Sequence, residues 1–310
     1  MPPRKGTMRD RLEYPAVWLL LQMVSALPRP VACALATGVA RGLLRLLPKL
    51  RQTAMFNLRL AFPEWSDTQC RALLRKMAGH FGRMAVEFAR LPRWTLENAE
   101  KLIVLDGQEN YLAAKAPGKG TLFLTGHMGA WELSPFGHAR LGFPMYYIAR
   151  PLDNPRLDAL VTRYRCLSGA IPIFKNESAR AMLKILREAG TIGILADQNT
   201  MPEEGVFVDF FGTPACTSTG IARVALHTDA SVLPAYIYWD ADLGKYCLRF
   251  EPPVELLRTG DADRDILENT AHFAKVIEAI IRRHPDQWVW VHARWKTRPP
   301  GEPPLYPFLR

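Results

Sequence analysis

The sequence is poor in cysteine and has no closely spaced thiol pair. Its five cysteines are odd in number, and no C-x-x-C pattern joins any two of them: Cys33, Cys70, Cys166, Cys216 and Cys247. Structural zinc sites and thioredoxin-like redox motifs depend on such pairs, so the sequence argues against both kinds of site. Widely spaced, unpaired thiols are typical of reduced proteins, and we expect a catalytic body that faces the cytoplasm.

The sequence also lacks a long apolar run near its N-terminus. The first run, Pro15 to Leu27, has 13 residues, whereas a membrane span needs about 20. The second run, Val31 to Leu47, carries Arg41 and Arg45 and therefore predicts an amphipathic helix. We expect residues 1–50 to form an apolar helical hairpin in the membrane interface. A cleaved signal peptide and two ordinary packed helices are the alternatives.

No low-complexity linker and no internal repeat interrupt the rest of the chain, which predicts one catalytic domain over residues 51–310. Helical spacing of apolar residues recurs in three segments: Asp67–Leu91, Leu157–Leu167 and Ser178–Ala189. Apolar runs typical of buried strands occur in four: Thr121–Thr125, Met145–Ala149, Thr191–Ala196 and Val232–Tyr238. This alternation predicts a layered α/β/α fold with a central, mostly parallel or mixed sheet, and leaves open an antiparallel edge near the chain end.

The charge of the chain is strongly positive, with 40 Lys and Arg against 30 Asp and Glu, a formal net charge of +10. Such a surface suits nucleic acid, anionic lipid head groups or an acidic carrier protein, and a soluble basic protein is the plain alternative. The sequence has no zinc-finger spacing and no RNA-binding aromatic signature. We therefore expect no nucleic-acid partner.

A glycine-flanked histidine follows the predicted strand Thr121–Thr125, where parallel sheets place ligand sites. His127 and Glu132 are five residues apart, which on one continuous helix separates them by about 140°. They can meet only if His127 lies in a turn and Glu132 begins a helix. Gly126 and Gly129 give the backbone the freedom for such a turn.

A histidine and a carboxylate in this arrangement predict general base chemistry. The imidazole of His127 removes a proton from an attacking hydroxyl, and the Glu132 carboxylate fixes the tautomer and stabilises the imidazolium that forms. No serine or cysteine nucleophile is needed. A capping or packing role for the turn histidine is the alternative. The segment supplies one histidine where the metalloprotease pattern needs two, so we expect neither a metal nor another cofactor.

The motif T-G-H-M-G-A-W-E resembles the H-x-x-x-x-D/E motif of the lysophospholipid acyltransferase superfamily. Its Trp-Glu ending resembles the late lipid A biosynthesis branch, the lauroyl and myristoyl transferases of Gram-negative bacteria. Met128 and Ala130 stand where that family usually has Phe and Asn. Further segments resemble family blocks in the same order: Asn57–Pro63, Arg150–Pro155, Asp197–Asn199, Gly205–Gly212 and Gln287–Pro299.

The resemblance implies an acyltransferase that moves a fatty acyl chain from acyl-acyl carrier protein to a hydroxyl of a glycolipid, a lipid A precursor or a related lipid. It also implies direct transfer without an acyl-enzyme, and residence at the cytoplasmic face of the inner membrane among membrane lipids. A lysophospholipid, aminolipid or mannosylated inositol lipid acceptor is an alternative that the motif does not separate. A noncatalytic lipid-binding protein is more distant, because both His127 and Glu132 are present.

Three further residues are candidate substrate-binding groups. By similarity to the family, Arg150 at the end of a predicted strand helps to form the active site, where a guanidinium can bind a phosphate through paired hydrogen bonds. A structural carboxylate partner is the alternative. Asp197 and Gln198 end another predicted strand and can orient a sugar hydroxyl or the donor, although ordinary loop positions would look the same.

The last block predicts a half-buried strand, because Trp288 and Trp290 alternate with valines. We expect both tryptophans in the core. Arg294, Lys296 and Arg298 follow on a predicted loop that could contact lipid phosphates or the acidic carrier, with a solvated charged surface as the alternative.

Overall fold

The computed structural model describes residues 7–143, 145–174 and 178–309. Eleven α-helices lie in these ranges: α1 Met8–Ala26, α2 Arg29–Leu46, α3 Pro48–Ala61, α4 Asp67–Arg90, α5 Leu96–Leu102, α6 Gln108–Lys115, α7 Ser134–Ala139, α8 Pro155–Arg165, α9 Ser178–Arg187, α10 Gly220–Thr228 and α11 Ala262–Arg283. Nine strands accompany them: β1 Ile103–Asp106, β2 Thr121–Thr125, β3 Met145–Ala149, β4 Ile171–Phe174, β5 Thr191–Leu195, β6 Gly205–Phe210, β7 Thr213–Ser218, β8 Ser231–Asp240 and β9 Lys245–Phe250.

Seven strands form one sheet in the order β1-β9-β8-β2-β5-β3-β4, and β6 and β7 form a separate antiparallel hairpin. The central strand β2 pairs in parallel with β5 on one side and β8 on the other. Strand β9 is antiparallel to β8, and β1 continues the sheet parallel to β9. This topology confirms the predicted α/β class, and an antiparallel strand near the chain end is present.

Helices cover both faces of the sheet. Side chains alternate along a strand, and in β2 Leu122 and Leu124 enter one apolar cluster while Phe123 enters the other. Helices α3, α4, α9, α10 and α11 contribute to the first cluster, and α5 to α8 contribute to the second. The sheet is therefore the middle of three layers. The carboxyl ends of its parallel strands β2, β3, β5 and β8 lie at one edge of the sheet, between the two helical layers.

All four predicted strands are confirmed, as β2, β3, β5 and β8. The predicted strand at Trp288–Val291 is wrong. After a 3₁₀ turn over Pro285–Gln287, Trp288 makes one isolated bridge to Met128 and the chain then turns. Both tryptophans are fully buried, as expected. Their alternation with valines reflects side chains packed inside a compact loop instead of a strand.

The N-terminal hairpin is present, with α1 and α2 joined at Leu27-Pro28. Both helices pack on α4, which begins with a capping box between Ser66 and Gln69. Arg90 of α4 donates hydrogen bonds to the carbonyl oxygens of Ser25 and Leu27, at 3.0 and 2.9 Å. These bonds satisfy carbonyls at the end of α1 that have no helical partner. A domain boundary at residue 50 stays a prediction.

Within the described ranges, no single helix has both the length and the apolar character needed to cross a membrane. Helices α2 and α3 meet those criteria only as a pair, and the pair is bent by 91°. Pro48, at the start of α3, explains the break, since proline has no backbone N–H to continue α2 but suits the first turn of a new helix.

Candidate active site

The site lies where two parallel strands end side by side. The last residues of β2 and β5, Thr125 and Leu195, are paired in register, and the amide of Ala196 donates to the carbonyl oxygen of Thr125 at 2.9 Å. The chain segments after these strands therefore leave the sheet together. This brings His127 next to Asp197, at the edge where α/β proteins bind their ligands.

Asp197 holds His127 through two hydrogen bonds and accepts a third from Trp288. His127 Nδ1 lies 2.8 Å from Asp197 Oδ1, and the backbone N–H of His127 donates to Oδ2 at 2.8 Å. Trp288 Nε1 donates to the same Oδ2 at 2.7 Å. Asp197 is 0% exposed, whereas the His127 side chain is 20% exposed. An ionised carboxylate only accepts hydrogen bonds, so Nδ1 carries the proton and Nε2 is left as the basic atom.

Glu132 forms no hydrogen bond or ion pair with His127, so the prediction that its carboxylate fixes the tautomer of the imidazole is wrong. Glu132 lies in a 3₁₀ turn and forms a bidentate ion pair with Arg165, with Nε–Oε2 at 2.8 Å and Nη2–Oε1 at 2.5 Å. Trp131 Nε1 also donates to Glu132 Oε1 at 3.2 Å. The planar guanidinium matches both carboxylate oxygens, while the imidazole finds its acceptor in Asp197.

The electrostatics of the pair favour a charged imidazole. Burial lowers the pKa of His127, but the charge of Asp197, its hydrogen bond and the charge of Glu132 together raise that pKa above its ordinary value of 6.5. Burial raises the pKa of Asp197, but the His127 ring and its hydrogen bonds lower it below 3.8 overall. His127 is therefore a stronger base than a free histidine, and Asp197 stays ionised beside it.

Two glycines shape the turn that carries His127. Gly129 has φ +54°, and a Cβ at this position would lie 2.1 Å from the carbonyl oxygen of Ile237. A Cβ on Gly126 would lie 3.1 Å from Asp197 Cγ. The turn is also tied to the last block, because the amide of Gly129 donates to the Gln287 carbonyl at 2.8 Å. Of the two glycines, Gly129 is the one whose backbone conformation and close packing most clearly exclude a side chain, as predicted.

The other candidate residues separate into two groups. Gln198 Nε2 lies 3.3 Å from His127 Nε2, so Asp197 and Gln198 both reach the histidine. Arg150 follows β3 at the same edge of the sheet, is exposed, and forms no hydrogen bond or ion pair with another described residue. The structure thus brings Asp197 and Gln198 to the imidazole but leaves Arg150 outside that cluster.

A cavity of about 240 Å³ opens beside the imidazole. Charged groups are present at His127, Glu132 and Arg165, and the remaining lining is mostly apolar or aromatic: Thr125, Trp131, Ser134, Pro135, Met145, Tyr147, Ile148, Gly193 and Leu195. Sequence reasoning missed Arg165, because a basic residue in the last turn of a helix is ordinary. Trp131, which lies in the motif itself, was the residue from which an aromatic lining of the cavity could have been predicted.

Arg294 is part of the interior and not of a basic surface loop, which corrects the prediction for this residue. It is 1% exposed, donates to the Cys216 carbonyl at 2.7 Å, and lies over the Phe210 ring at 4.9 Å. Elsewhere, no group of three or more His, Cys, Asp or Glu side chains in the described ranges is arranged to hold a metal ion.

A buried carboxylate that orients a histidine, at parallel strand ends and beside a mostly apolar cavity, is an arrangement typical of α/β enzymes that use a histidine base. Comparison with known families identifies the class more closely. The family described as bacterial lipid A biosynthesis acyltransferase matches residues 4–297. The chain belongs to this family and is an acyltransferase, which confirms the resemblance seen in its motifs.

Individual relatives align over almost the whole length. A lipid A biosynthesis lauroyltransferase of Escherichia coli K12 is 29% identical over 98% of this chain and 99% of its own. The palmitoleoyltransferase of the same strain is 28% identical over 94% of this chain and 92% of its own. The myristoyltransferase is 26% identical over 86% of this chain and 80% of its own.

Proposed function

We propose that this acyltransferase moves a fatty acyl chain from acyl-acyl carrier protein to a hydroxyl of a glycolipid acceptor, a lipid A precursor or a related lipid. His127 acts as the general base. The observation that carries the proposal is the hydrogen bond from His127 Nδ1 to buried Asp197, which leaves Nε2 at an apolar cavity. A base beside an apolar chain site is what acyl transfer to a hydroxyl needs.

The names of the relatives support the acceptor class. They are lauroyl, palmitoleoyl and myristoyl transferases of lipid A biosynthesis, so related chains place different acyl groups on the same kind of glycolipid. The mostly apolar lining of the cavity suits one acyl chain. Lipid mass spectrometry of a deletion strain beside its complement would identify the missing chain and its acceptor together.

In the proposed reaction, His127 Nε2 takes the proton of the acceptor hydroxyl, and the hydroxyl oxygen attacks the thioester carbonyl carbon. The carbon–sulfur bond then breaks, an ester bond remains, and the imidazolium returns its proton to the departing carrier thiol. Asp197 keeps Nδ1 protonated and stabilises the imidazolium throughout. No side chain of the enzyme carries the acyl group, since the hydroxyl itself is the nucleophile.

Glu132 acts through charge and position in this scheme. Its carboxylate raises the pKa of His127 and fixes Arg165 in the cavity wall. Gln198 can hold the acceptor near Nε2, and exposed Arg150 can bind a phosphate of the acceptor or of the carrier prosthetic group at the rim. In this scheme Gln198 and Arg150 contact substrate, whereas Glu132 acts through His127 and Arg165.

The proposed location is the cytoplasmic face of the inner membrane, where a lipid acceptor and a soluble carrier protein meet. Large apolar side chains on the N-terminal helices support it. In α2 they recur every four residues on the exposed surface, at Val31, Leu35, Val39 and Leu43. An amphipathic helix with such a stripe can lie in the interface with its apolar side among acyl chains.

The decisive experiment measures transfer from acyl-acyl carrier protein by His127→Ala, with His227→Ala as a matched control on the exposed surface of α10. Loss of the general base should reduce turnover roughly 10²- to 10⁴-fold, while His227→Ala keeps it. Circular dichroism checks folding, and intact-protein mass spectrometry should find no acyl-enzyme. A folded His127→Ala enzyme with normal turnover would overturn the proposal, and a trapped acyl-enzyme would replace direct attack.

A further inference from the structure

A second, larger cleft lies at the bend between α2 and α3. It has a volume of about 760 Å³ and is bounded by α2, α3, the first half of α4 and the side chain of Phe308. Apolar side chains, including Leu44, Phe56 and Leu74, share its lining with six arginines: Arg41, Arg45, Arg51, Arg59, Arg71 and Arg75. None of these residues lines the cavity beside His127.

The arginines are largely uncompensated. Asp67 is the carboxylate that binds Arg59, at 2.8 and 2.9 Å, and it also accepts from Arg71 at 3.3 Å. The guanidinium groups of the other four arginines form no hydrogen bond or ion pair with a described residue. Several guanidinium groups around one cleft repel one another and create a strongly positive potential. An anion with several acceptor oxygens, such as a phosphate, relieves that repulsion through bidentate bonds.

Helix α2 also carries an exposed apolar stripe, on a different side from its cleft arginines. The α2 stripe of Val31, Leu35, Val39 and Leu43, with exposed fractions from 47 to 63%, runs along the helix that ends at the cleft. Exposed Leu46 lies at the end of α2, where the arginines begin to surround the opening. A ligand that fits both the arginines and the apolar lining of the cleft has a phosphate head and at least one long apolar chain.

We propose that this cleft binds the phosphate head group of an anionic bilayer phospholipid, with the acyl chains against its apolar lining. The inference rests on the membrane association proposed above. A concave site lined by both guanidinium groups and apolar side chains suits a lipid molecule better than the convex acidic surface of a carrier protein. Such a lipid orients the enzyme at the membrane without occupying the cavity beside His127.

The test counts lipids on the full-length protein released from detergent micelles, by native mass spectrometry. The wild type should retain one phosphatidylglycerol and little phosphatidylcholine. Arg45→Gln/Arg51→Gln/Arg75→Gln should reduce the phosphatidylglycerol adduct at least tenfold. A matched control, Arg180→Gln/Lys184→Gln/Arg187→Gln, removes the same charge from exposed positions of α9 and should keep the adduct. Equal loss in both triple variants, or loss in neither, overturns the proposal.

Further arms separate the possible sources of the phosphate. If a phosphorylated glycolipid acceptor displaces phosphatidylglycerol from the wild type, the cleft is an acceptor site and the phospholipid assignment is overturned. If the cleft variant instead keeps its lipid adduct but has a raised KM for acyl-acyl carrier protein, the cleft belongs to the carrier.

Activity distinguishes failure of this inference from failure of the proposed function. With substrates dispersed in detergent, the cleft variant should keep its kcat within about twofold, because the reacting groups are untouched. Inactive His127→Ala should still retain the phosphatidylglycerol adduct. A cleft variant without kcat in detergent would place these arginines in the transfer reaction and overturn a purely orienting role.

Discussion

One buried carboxylate, Asp197, fixes the orientation of the His127 imidazole through a hydrogen bond. Asp197 is 0% exposed and accepts from an imidazole, a backbone amide and an indole. Such hydrogen bonds to a charged group each contribute about 1.5–3 kcal/mol, and they offset the cost of burying the charge. The carboxylate is therefore stable only in the arrangement that also orients the base.

Asp197→Asn is expected to reduce kcat roughly 10²- to 10⁴-fold, because an amide neither fixes the reactive tautomer nor stabilises the imidazolium. The matched control is Asp286→Asn, which changes another His–Asp pair, with His80 Nε2 at 3.2 Å from Asp286 Oδ2, away from the cavity. Steady-state kinetics compares the two, with thermal unfolding as the folding check. Equal activity of both variants would remove Asp197 from the proposed mechanism.

The acid side of the pH profile should report His127. Only the neutral imidazole accepts a proton, and the pKa of His127 lies above 6.5, so kcat/KM should fall as the pH drops through that raised pKa. Glu132→Gln removes a negative charge that raises this pKa and should move the acid limb to lower pH. The control Glu268→Gln, on α11, should leave the limb in place. A limb below pH 6.5 in the wild type would contradict the assignment.

Among the structural elements, the turn after β2 has the tightest backbone constraint. Gly129→Ala should destabilise the fold and lower activity, because its Cβ meets the Ile237 carbonyl and φ is +54°. Gly142→Ala provides the control, since φ is +76° but no atom lies within 4 Å of its Cβ. The left-handed backbone alone costs about 1–2 kcal/mol, so Gly129→Ala should lower the Tm clearly further. Equal Tm values would show that the close contact relaxes freely.

Sequence patterns predicted the interior strands better than the outer ones. β2, β3, β5 and β8 are nearly continuous apolar runs, because helices cover both faces of the sheet there. β9 carries Lys245 and Arg249, and the edge strand β4 has only four residues and contains Pro172, so neither has the pattern of a buried strand. The strand predicted at Trp288–Val291 is absent although the pattern was there. Alternation of large and small side chains also arises when large side chains pack inside a loop.

At the scale of the whole molecule, placement at a membrane depends on the α2 stripe. Leu35→Gln/Leu43→Gln should weaken binding to phosphatidylcholine vesicles by roughly 10²- to 10⁴-fold, since burial of each leucine is worth about 1.5–3 kcal/mol. Leu112→Gln/Leu267→Gln, on α6 and α11, changes leucines of similar exposure and should bind normally. Vesicle flotation measures both. Unchanged flotation of the α2 variant would assign the membrane contact to another surface.

The position of His127 in a turn at a strand end was predictable from the motif, but its carboxylate partner was not. His127 was identified by its turn, and Asp197 by its position after a strand. Which carboxylate contacts the imidazole depends on β5 lying beside β2, and sheet order is a property of the whole fold that one sequence does not reveal. Arg165 was missed because its partner Glu132 is 33 residues away, beyond any local pattern.

The attachment of the His127 turn to Gln287 and Trp288 also determines when the enzyme becomes competent during its own synthesis. Ribosomes add roughly 5–20 residues per second, so about 160 residues of translation, roughly 8 to 32 seconds, separate the histidine from its last supports. Helix α2 is synthesised before both His127 and the residues that support it. We therefore expect the nascent chain to reach the bilayer as an inactive protein, and catalysis to begin only after its position is set.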